Sequence, residues 1–474
     1  MLRAHLTFLI MTSFVISNGV LAQSNSSPPN IIVLVSDDQR WDAMGAAGNT
    51  IIQTPNMDKL AAGGVRFRNA FCTTSICCAS RASLLTGMYA STHGIEDFAT
   101  PLPDALFAKS YPALLREAGY HTGFVGKWGV GNKLPKEQFD FFKGFGGQGK
   151  FFNEVDGETV HMTSLIGGDA VEYLSTRSDD QPFCLSVSFK APHVQDQDPK
   201  QFLPDPVFDD LYVDDTMPVA ETANEKFYES QPELVRNTEA RVRWKKRFSN
   251  PEHHQTSVKN YYRLVTGIDT AIGRMLDELD RKGLSDNTVI LFLSDHGFFL
   301  GERGLAGKWY MYEESIRIPF ILYDPRVASK DRQPMSDATV LTIDLAPTIT
   351  ALAGIDAPAE MQGRNLRPLL NAEPDSWRDT WFYEHHFARE RENFIPASEG
   401  IRTRDWKYIR WVDADPVLEE LYHVSKDPLE KHNLADDPKQ SDMLARMRSS
   451  WQTWQQGLPK WDDEEAVSWS EPTK

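Results

Sequence analysis

Uninterrupted apolar runs of strand length recur along the chain, and three of the four clearest end in an acidic residue. The first is Asn30–Asp38, with the sequence NIIVLVSDD, and similar runs lie at Pro182–Phe189, Asn287–Asp295 and Arg317–Asp324. Runs rich in Val, Ile, Leu and Phe without polar alternation are typical of strands buried on both faces of a parallel sheet.

Helical patterns separate these runs. The clearest covers Gln255–Lys282, where apolar residues recur every three or four positions until Gly283. Strands that alternate with helices predict an α/β fold, in which a large, mostly parallel sheet is covered by helices on both faces.

The pattern changes near residue 374. Short aromatic segments of alternating polarity follow, and then a helical pattern over Gln440–Gln456. We therefore predict a large α/β domain over residues 23–373 and a smaller subdomain over residues 374–474, built as an antiparallel sheet plus a helix. Pro199–Asn250 is long, polar and rich in proline, which indicates an excursion from the core of the kind that often carries substrate loops.

The N-terminal residues have the pattern of a secretory signal. Arg3 precedes an apolar run from Leu6 to Ile16, and the small residues before Gln23 predict cleavage after Ala22. The run is too short to span a bilayer, and no later segment is apolar enough to do so. We expect residues 1–22 to be a signal peptide and the protein to be exported, either to the periplasm or out of the cell.

Composition narrows the classes of ligand. The 474 residues carry a net charge of −17, so a nucleic acid would be repelled, and any anionic ligand needs a local cluster of positive charge. Four cysteines are too few for a disulfide framework in an exported chain of this size, although one bridge stays open.

Acidic residues at strand ends predict a metal site. Asp37 and Asp38 end one predicted strand, and Asp295 with His296 ends another. The carboxyl ends of parallel strands meet at one edge of a sheet, and carboxylate oxygens suit calcium or magnesium better than zinc. The alternative is that these acids cap helices and turns.

Basic residues in turns form the second candidate group: Arg81, Lys127, His193 and Lys308. Lysines are usually solvated charges. These four lie in turns marked by Gly or Pro after predicted strands, or near the start of a helix, where side chains reach into a cleft. Together with a metal ion they would stabilise an oxyanion such as sulfate or phosphate.

The segment CCASRASLLTG, residues 77–87, resembles the signature of the type I sulfatases of the alkaline phosphatase-like superfamily. That signature has a cysteine, Pro or Ala two positions on, Arg four positions on and a helix that ends in LTG. The match starts at Cys77, since a start at Cys78 would put Ala82 where arginine is required. A buried pair of thiols, or a disulfide between Cys77 and Cys78, is the alternative. Five further motifs follow the family's order: IIVLVSDDQRWDAMG, GYHTGFVGKWGVG, KAPHVQ, SDHGFFLGERGLAGKW and RTRDWKYIRW.

The resemblance implies a mechanism. In the family a maturation enzyme oxidises the cysteine to formylglycine, and the hydrated aldehyde is the nucleophile that attacks the sulfate ester. Arg81 would hold the hydrate, and His193 or Lys308 would protonate the leaving alcohol. The resemblance assigns a divalent metal, Ca²⁺ with Mg²⁺ as the alternative, to Asp37, Asp38, Asp295, His296 and residue 77, and assigns the grip on sulfate to Lys127, Lys308 and His193.

Two departures from the family's pattern stand out. Ala79 replaces the commoner proline, and Gly129 stands where many members have the histidine that helps to eliminate sulfate. His93, or a water held by the metal, is a candidate replacement for that base. The sequence thus predicts an exported sulfatase. A phosphonate or phosphodiester hydrolase of the same superfamily and a sulfate-binding pseudoenzyme are the alternatives.

The expected substrate is a sulfated polysaccharide or its oligosaccharides. Two segments rich in aromatic and basic residues are candidate substrate loops, namely Arg241–Phe248 (RVRWKKRF) and Tyr383–Arg391 (YEHHFARER). Both could hold sugar rings and anionic groups, or lie as solvated surface.

Overall fold

The fold is seen in a computed structural model that describes residues 28–178, 180–387 and 394–460. The predicted signal peptide, residues 1–22, lies outside these ranges. Strands are numbered in chain order as β1 (Asn30–Asp37), β2 (Val65–Phe71), β3 (His121–Lys127), β4 (Phe141–Phe145), β5 (Phe152–Val155), β6 (Glu158–His161), β7 (Phe183–Pro192), β8 (Thr288–Ser294), β9 (Phe299–Leu300), β10 (Ala306–Gly307), β11 (Phe320–Tyr323), β12 (Met335–Leu341), β13 (Thr380–His385), β14 (Ser398–Thr403), β15 (Lys407–Trp411) and β16 (Leu418–Tyr422).

Helices alternate with the strands of the first three quarters of the chain, and a helix is the last described element. In chain order they are α1 (Pro55–Gly63), α2 (Cys77–Thr86), α3 (Ala90–His93), α4 (Asp104–Phe107), α5 (Tyr111–Glu117), α6 (Met162–Thr176), α7 (Glu225–Glu229), α8 (Glu233–Arg236), α9 (Glu239–Arg247), α10 (Pro251–Arg281), α11 (Glu313–Ile316), α12 (Leu345–Leu352) and α13 (Ser441–Gly457).

The described residues form an eight-stranded sheet with the order β12-β2-β11-β8-β1-β7-β3-β4. Its neighbouring strands are parallel except at β11, which runs antiparallel to both β8 and β2. The predicted large, mostly parallel sheet is confirmed. The apolar run at Arg317–Asp324 forms an antiparallel strand, because strand direction depends on the connection between strands and not on the composition of the run.

Alternate residues of β1 pack into different cores. Ile32 and Leu34 belong to the cluster on one face of the sheet, and Ile31 and Val33 belong to the cluster on the other face. Helices α6 and α10 contribute to the first cluster, and α2, α5 and α12 contribute to the second. Burial on both faces explains why the central strands read as uninterrupted apolar runs.

The long helix α10 begins four residues before the predicted start. The side chain of Asn250 accepts a hydrogen bond from the backbone N–H of His253 at 2.9 Å, and Pro251 occupies the first helical turn, where its missing N–H has no cost. Among the described residues, no helix is both long and apolar enough to cross a membrane.

The excursion after β7 contains the short helices α7 to α9. The basic segment predicted as a substrate loop, Arg241–Phe248, is mostly helical and lies in α9, which ends at Arg247. Of the other candidate loop, Tyr383–His385 ends strand β13, and the residues from 388 onward lie outside the described residues.

The small antiparallel sheet has the order β13-β14-β15-β16 and, with α13, confirms the predicted C-terminal architecture. Buried ion pairs tie it to the segment that follows β8. Nη2 of Arg303 lies 3.2 Å from Oε2 of Glu430, and Nζ of Lys407 lies 2.8 Å from Oε1 of Glu313. Tyr383 donates a hydrogen bond to the carbonyl of Trp309 at 2.7 Å. The small sheet therefore holds the segment that carries Lys308.

Candidate active site

Four adjacent parallel strands deliver the predicted site residues to one edge of the sheet. The strands β8, β1, β7 and β3 are neighbours, and their carboxyl ends carry, in that order, Asp295 with His296, Asp37 with Asp38, His193 and Lys127. Residues that are far apart in the chain thus converge because parallel strands end at the same edge.

The backbone conformation of Asp38 directs the carboxylates of Asp37 and Asp38 into the same cluster, although side chains of neighbouring residues in a strand point to opposite faces. Asp38 has a left-handed conformation, with φ 72°, and its N–H donates a hydrogen bond to Oδ1 of Asp295 at 3.2 Å. Tyr261 donates its hydroxyl to the carbonyl of Asp38 at 2.7 Å. These bonds hold a conformation that is unfavourable for a residue other than glycine.

Cys77 is the first residue of helix α2, and its sulfur lies inside the charged cluster. Sγ donates to Oδ1 of Asp37 at 3.4 Å, and it lies 3.4 Å from Nε2 of His296 and 3.3 Å from Nζ of Lys308. The N-terminus of a helix favours negative charge, because its first N–H groups have no partner within the helix. The position therefore suits an anionic reacting group.

Cys78 faces the other way. It packs into an apolar cluster with Phe71, Ile76 and Tyr89, and burial raises the pKa of its thiol to about 12. All four cysteines are buried and free, so the chain has neither the single bridge nor the bonded neighbouring pair that the sequence left open. The structure places Cys77, and not Cys78, among the charged groups.

Three cations neutralise the three carboxylates of the cluster. Nε of Arg81 donates to Oδ2 of Asp295 at 3.0 Å, and Nζ of Lys308 donates to Oδ1 of Asp38 at 2.7 Å. Nζ of Lys127 contacts Oδ2 of Asp37. All of these side chains are at least nine-tenths buried, so each charge depends on its partners.

Protonation follows from these contacts. Burial alone would raise the pKa of Asp37, but the ammonium of Lys127, with His193 and Arg81, lowers it well below its ordinary value. Burial would lower the pKa of Lys308, and the carboxylate of Asp38 outweighs this and raises it. The carboxyl group of Asp37 is therefore ionised, and Lys308 keeps its proton.

The two histidines have defined tautomers in their neutral forms. Nδ1 of His193 lies 2.7 Å from the carbonyl of Val194, and Nδ1 of His296 lies 3.0 Å from the carbonyl of Gly297. A carbonyl only accepts, so each Nδ1 carries the hydrogen and each Nε2 presents a lone pair to the cluster. Nε2 of His193 lies 3.7 Å from Oδ2 of Asp38.

The donor set fits a divalent cation. Ligand atoms of Asp37, Cys77, Asp295 and His296 all lie within 4.8 Å of one another, and so do those of Asp37, Asp38 and His193. Oδ2 of Asp38 is buried and has no hydrogen-bond partner among the described residues. Three carboxylates offer the hard oxygen ligands that calcium and magnesium prefer, as the sequence predicts, and Nε2 of His296 would be a further ligand once a cation displaces its proton.

Two polar residues of the cluster carry no sequence signal. Ser188, on β7, donates a hydrogen bond to the carbonyl of Lys127 at 2.6 Å and contacts Nη1 of Arg81. Gln148 accepts from Nζ of Lys127 at 2.7 Å. Each orients a cation of the site, but a single serine or glutamine in a strand or turn has no spacing that would reveal it.

His93 does not supply the base that Gly129 lacks. The backbone N–H of Ile95 donates to Nδ1 of His93 at 3.0 Å, so Nε2 carries the hydrogen and donates to Oγ of Ser83 at 3.0 Å. Burial lowers the pKa of His93 to about 3. Both nitrogens are engaged in local bonds, which makes His93 a structural residue at the C-terminal end of helix α3.

Gly129 makes room for Arg81. Its φ is +72°, and a Cβ added there would lie 2.5 Å from Cδ of Arg81 and 3.0 Å from Nε. Arg81 is buried and bonded to Asp295, so it has little freedom to move. A histidine at this position would therefore displace the arginine.

Gly129→His will lower kcat/KM by about 10- to 100-fold, because a displaced Arg81 no longer orients Asp295 and the group at position 77. Steady-state kinetics on an aryl sulfate checks this. Gly119→Ala is the matched control: Gly119 has φ +88° with no atom within 4 Å of an added Cβ, so it introduces backbone strain without a clash. Faster turnover in Gly129→His would show that Arg81 yields and that an imidazole fits.

The fold and this charged site define a hydrolase of the alkaline phosphatase-like class, and comparison with known proteins gives the family. The sulfatase family model matches residues 29–355, and the model for the C-terminal part of N-sulphoglucosamine sulphohydrolase matches residues 301–457. The chain belongs to the sulfatase family, and is thus an enzyme that hydrolyses sulfuric esters.

Individual relatives agree with this assignment. An N-acetylglucosamine-6-O-sulfatase of Bacteroides thetaiotaomicron is 29% identical over 93% of this chain and 88% of its own. An ulvan-active sulfatase of Formosa agariphila is 29% identical over 88% of this chain and 79% of its own. A solved structure in complex with its substrate D-glucosamine-2-N,6-O-disulfate superposes with a TM-score of 0.77 at 27% identity, covering 91% of this chain and 98% of that one.

Proposed function

We propose that this sulfatase hydrolyses sulfate esters of saccharides, with residue 77 as the nucleophile after a maturation enzyme has converted Cys77 to formylglycine. One observation carries the proposal. Sγ of Cys77 lies at the start of helix α2, within 3.4 Å of side-chain atoms of Asp37, His296 and Lys308. The helix N-terminus, a carboxylate and an ammonium meet there, as a reaction that develops negative charge requires.

The remaining chemistry comes from two groups. A hydrated formylglycine supplies a nucleophilic hydroxyl, and a divalent cation supplies positive charge that stabilises anionic oxygens. Asp37, Asp38, Asp295 and His296 would hold the cation, and the preference is for calcium, with magnesium next, because most donors are carboxylate oxygens.

Charge balance explains how an acidic protein binds an anion. The carboxylates of Asp37, Asp38 and Asp295 are matched in formal charge by three cations, Arg81, Lys127 and Lys308. A divalent cation would make this buried site net positive, even though the chain as a whole carries −17. Coulomb attraction in a buried site is far stronger than across the surface, so the sign of the charge within the site, and not the net charge of the chain, decides whether an anion binds.

The proton-transfer roles follow from the tautomers. Lys308 holds a proton on Nζ 3.3 Å from Sγ of Cys77, and it is the group that would donate to the leaving alcohol. His193 donates through Nδ1 to Val194 and presents an unprotonated Nε2, so it would accept a proton from the hydrated group at position 77. In this assignment His193 takes the task for which many family members have a histidine at the position of Gly129.

A saccharide substrate and export are both parts of the proposal. One relative is named as an N-acetylglucosamine-6-O-sulfatase and another as an ulvan-active sulfatase, and one similar solved structure holds D-glucosamine-2-N,6-O-disulfate. The N-terminal pattern of residues 1–22 supports export, where polymeric sulfated saccharides are met. Recovery of a mature chain that begins at Gln23 from the periplasm or medium would support export.

A substrate panel tests the reaction. The chain is coexpressed with a formylglycine-generating enzyme and assayed in the presence of calcium. The substrates are singly sulfated monosaccharides (among them N-acetylglucosamine 6-sulfate), the aryl sulfate 4-nitrophenyl sulfate and the phosphodiester bis(4-nitrophenyl) phosphate. We expect release of sulfate from at least one sugar with a higher kcat/KM than for the phosphodiester.

Two results would reject the proposal. Faster hydrolysis of the phosphodiester than of every sulfate would favour the phosphodiesterase alternative. Binding of a sulfated sugar by fully matured protein without any turnover would favour a sulfate-binding pseudoenzyme. The degree of conversion at position 77 is measured by mass spectrometry in the same preparation, so that incomplete maturation is not mistaken for inactivity.

A further inference from the structure

Helix α9 contacts each of three segments that carry site residues. Its Arg247 donates a hydrogen bond to Asp196, which lies in the segment that begins with His193. The guanidinium of Arg247 also lies 6.0 Å from the ring centre of Phe298, two residues after His296.

The third contact is made by Arg243, one turn earlier in α9. Its guanidinium lies 5.0 Å from the ring centre of Trp309, the residue after Lys308. Helix α9 therefore forms a wall beside the candidate site.

Two arginines of this wall hold Asp196. Nη2 of Arg247 lies 3.0 Å from Oδ1 of Asp196, and Nη1 of Arg243 lies 3.3 Å from the same oxygen. The carboxylate is fixed in place, yet 36% of the side chain is exposed. An ionised, oriented and accessible carboxylate is an acceptor for hydroxyl groups of a ligand.

Arg247 also has an unused donor. Nε donates to Oε1 of Gln201 at 3.0 Å and Nη2 donates to Asp196, but Nη1 is buried without a hydrogen-bond partner among the described residues. The side chain is fully buried. An unsatisfied buried N–H of a charged group costs free energy, which a buried water beside Asp196 would recover, so Arg247 positions Asp196 and does not itself contact a ligand.

The charges of Asp196 and Arg247 interact with charges of the candidate active site. Asp196 is within reach of the charge of Lys308, and Arg247 is within reach of the charge of Asp38. Around Asp196 the acids and arginines balance, since Glu239 pairs with Arg243 at 2.7 Å. A second anionic group of a substrate would meet the carboxylate of Asp196 and be repelled, whereas a neutral hydroxyl would be accepted.

We infer that Asp196, oriented by Arg243 and Arg247, accepts a hydrogen bond from a free hydroxyl group of the sugar ring that carries the scissile sulfate. The inference rests on the proposed function and narrows its substrate class. The preferred ring has an unsubstituted hydroxyl next to the sulfated position, and not a second sulfate or a carboxylate there.

The experiment compares two substrates in Asp196→Ala. One is the singly sulfated monosaccharide of the panel that the unmodified protein hydrolyses fastest, and the other is 4-nitrophenyl sulfate, which has no hydroxyl group. Because hydrogen bonds to charged groups contribute to binding, we expect kcat/KM on the sugar to fall by about 10- to 100-fold, and by at least about ten times more than on the aryl sulfate.

Two further variants keep the result interpretable. Asp196→Asn keeps the shape and one acceptor oxygen, so the loss on the sugar is expected to be smaller than in Asp196→Ala. Lys439→Ala removes an exposed charge from a segment outside the site and is expected to behave like the protein without substitutions on both substrates.

The outcomes separate the two proposals. Equal losses on sugar and aryl sulfate, or no loss on either, overturn the role of Asp196 and leave the proposed function standing. If the fully matured protein without substitutions hydrolyses no sulfate ester, both the proposed function and the inference are overturned. A larger loss on a disulfated ring than on a singly sulfated one would also overturn the inference, because it requires Asp196 to favour the second anion.

Discussion

We expect Cys77→Ala to abolish turnover, with a loss of about four orders of magnitude or more on any sulfate ester, because it removes the group that is the nucleophile in the proposed function. The sulfur of Cys77 contacts Asp37 and Lys308, so no neighbouring hydroxyl or thiol replaces it. Steady-state kinetics measures the loss. In the protein without substitutions, mass spectrometry of the peptide that spans Cys77 and Cys78 shows which of the two is converted to formylglycine.

Cys78→Ala is the matched control. Cys78 packs against apolar side chains, and we expect most of the activity to remain, with at most a modest loss of stability from the smaller side chain. Modification at Cys78 with Cys77 intact would contradict the assignment. So would a Cys77→Ala variant that keeps measurable turnover while Cys78→Ala loses it.

If the proposed calcium site is correct, Asp38→Ala is expected to lower activity by at least about 100-fold and to abolish calcium binding, because metal-assisted charge stabilisation contributes several kcal/mol to such reactions. Oδ2 of Asp38 is buried and has no hydrogen-bond partner in the described part of the chain, and Asp38 lies in the possible metal-binding group with Asp37 and His193. Calcium content by elemental analysis and kinetics before and after exhaustive chelation are the measurements. Asp295→Ala should behave in the same way.

The fold of these variants is expected to survive. Burial raises the pKa of Asp38, and the nearby carboxylates of Asp37 and Asp295 add to this, so removal of one acid relieves repulsion as well as breaking the pair with Lys308. Circular dichroism checks this, with Asp104→Asn, an exposed acid, as the control for activity. Full activity after exhaustive chelation would refute a metal-assisted mechanism.

Several features of the site could be predicted from local sequence. Asp37 and Asp295 follow apolar runs that are strands in the structure, and parallel strands end at one edge. The register of Arg81 selected Cys77 over its neighbour, and the structure places Cys77 within 3.4 Å of Asp37. Such predictions succeed because the residues concerned are fixed by a strand, by a helix start or by a short spacing along one element.

Other features depend on contacts between distant segments. Strand β11 has the composition of a parallel strand and runs antiparallel, because its direction follows from the connection that precedes it. His93 was a reasonable candidate base by its position after the nucleophile helix, but its ring is bonded to Ser83 and Ile95. The closeness of Gly129 to Arg81, two residues 48 positions apart, has no trace in the sequence.

The sequence by itself determined the α/β class, the family signature and the types of residue that carry the chemistry, since these depend on periodicity and short spacings. Only the tertiary structure decided which charges pair, which histidine nitrogen is free and that Asp196 is held by two arginines of helix α9. The physical reason is that pairing and burial are properties of side chains brought together by folding. A carboxylate after a strand becomes a ligand, a pair or a sugar contact according to what the fold places within about 3 Å of it.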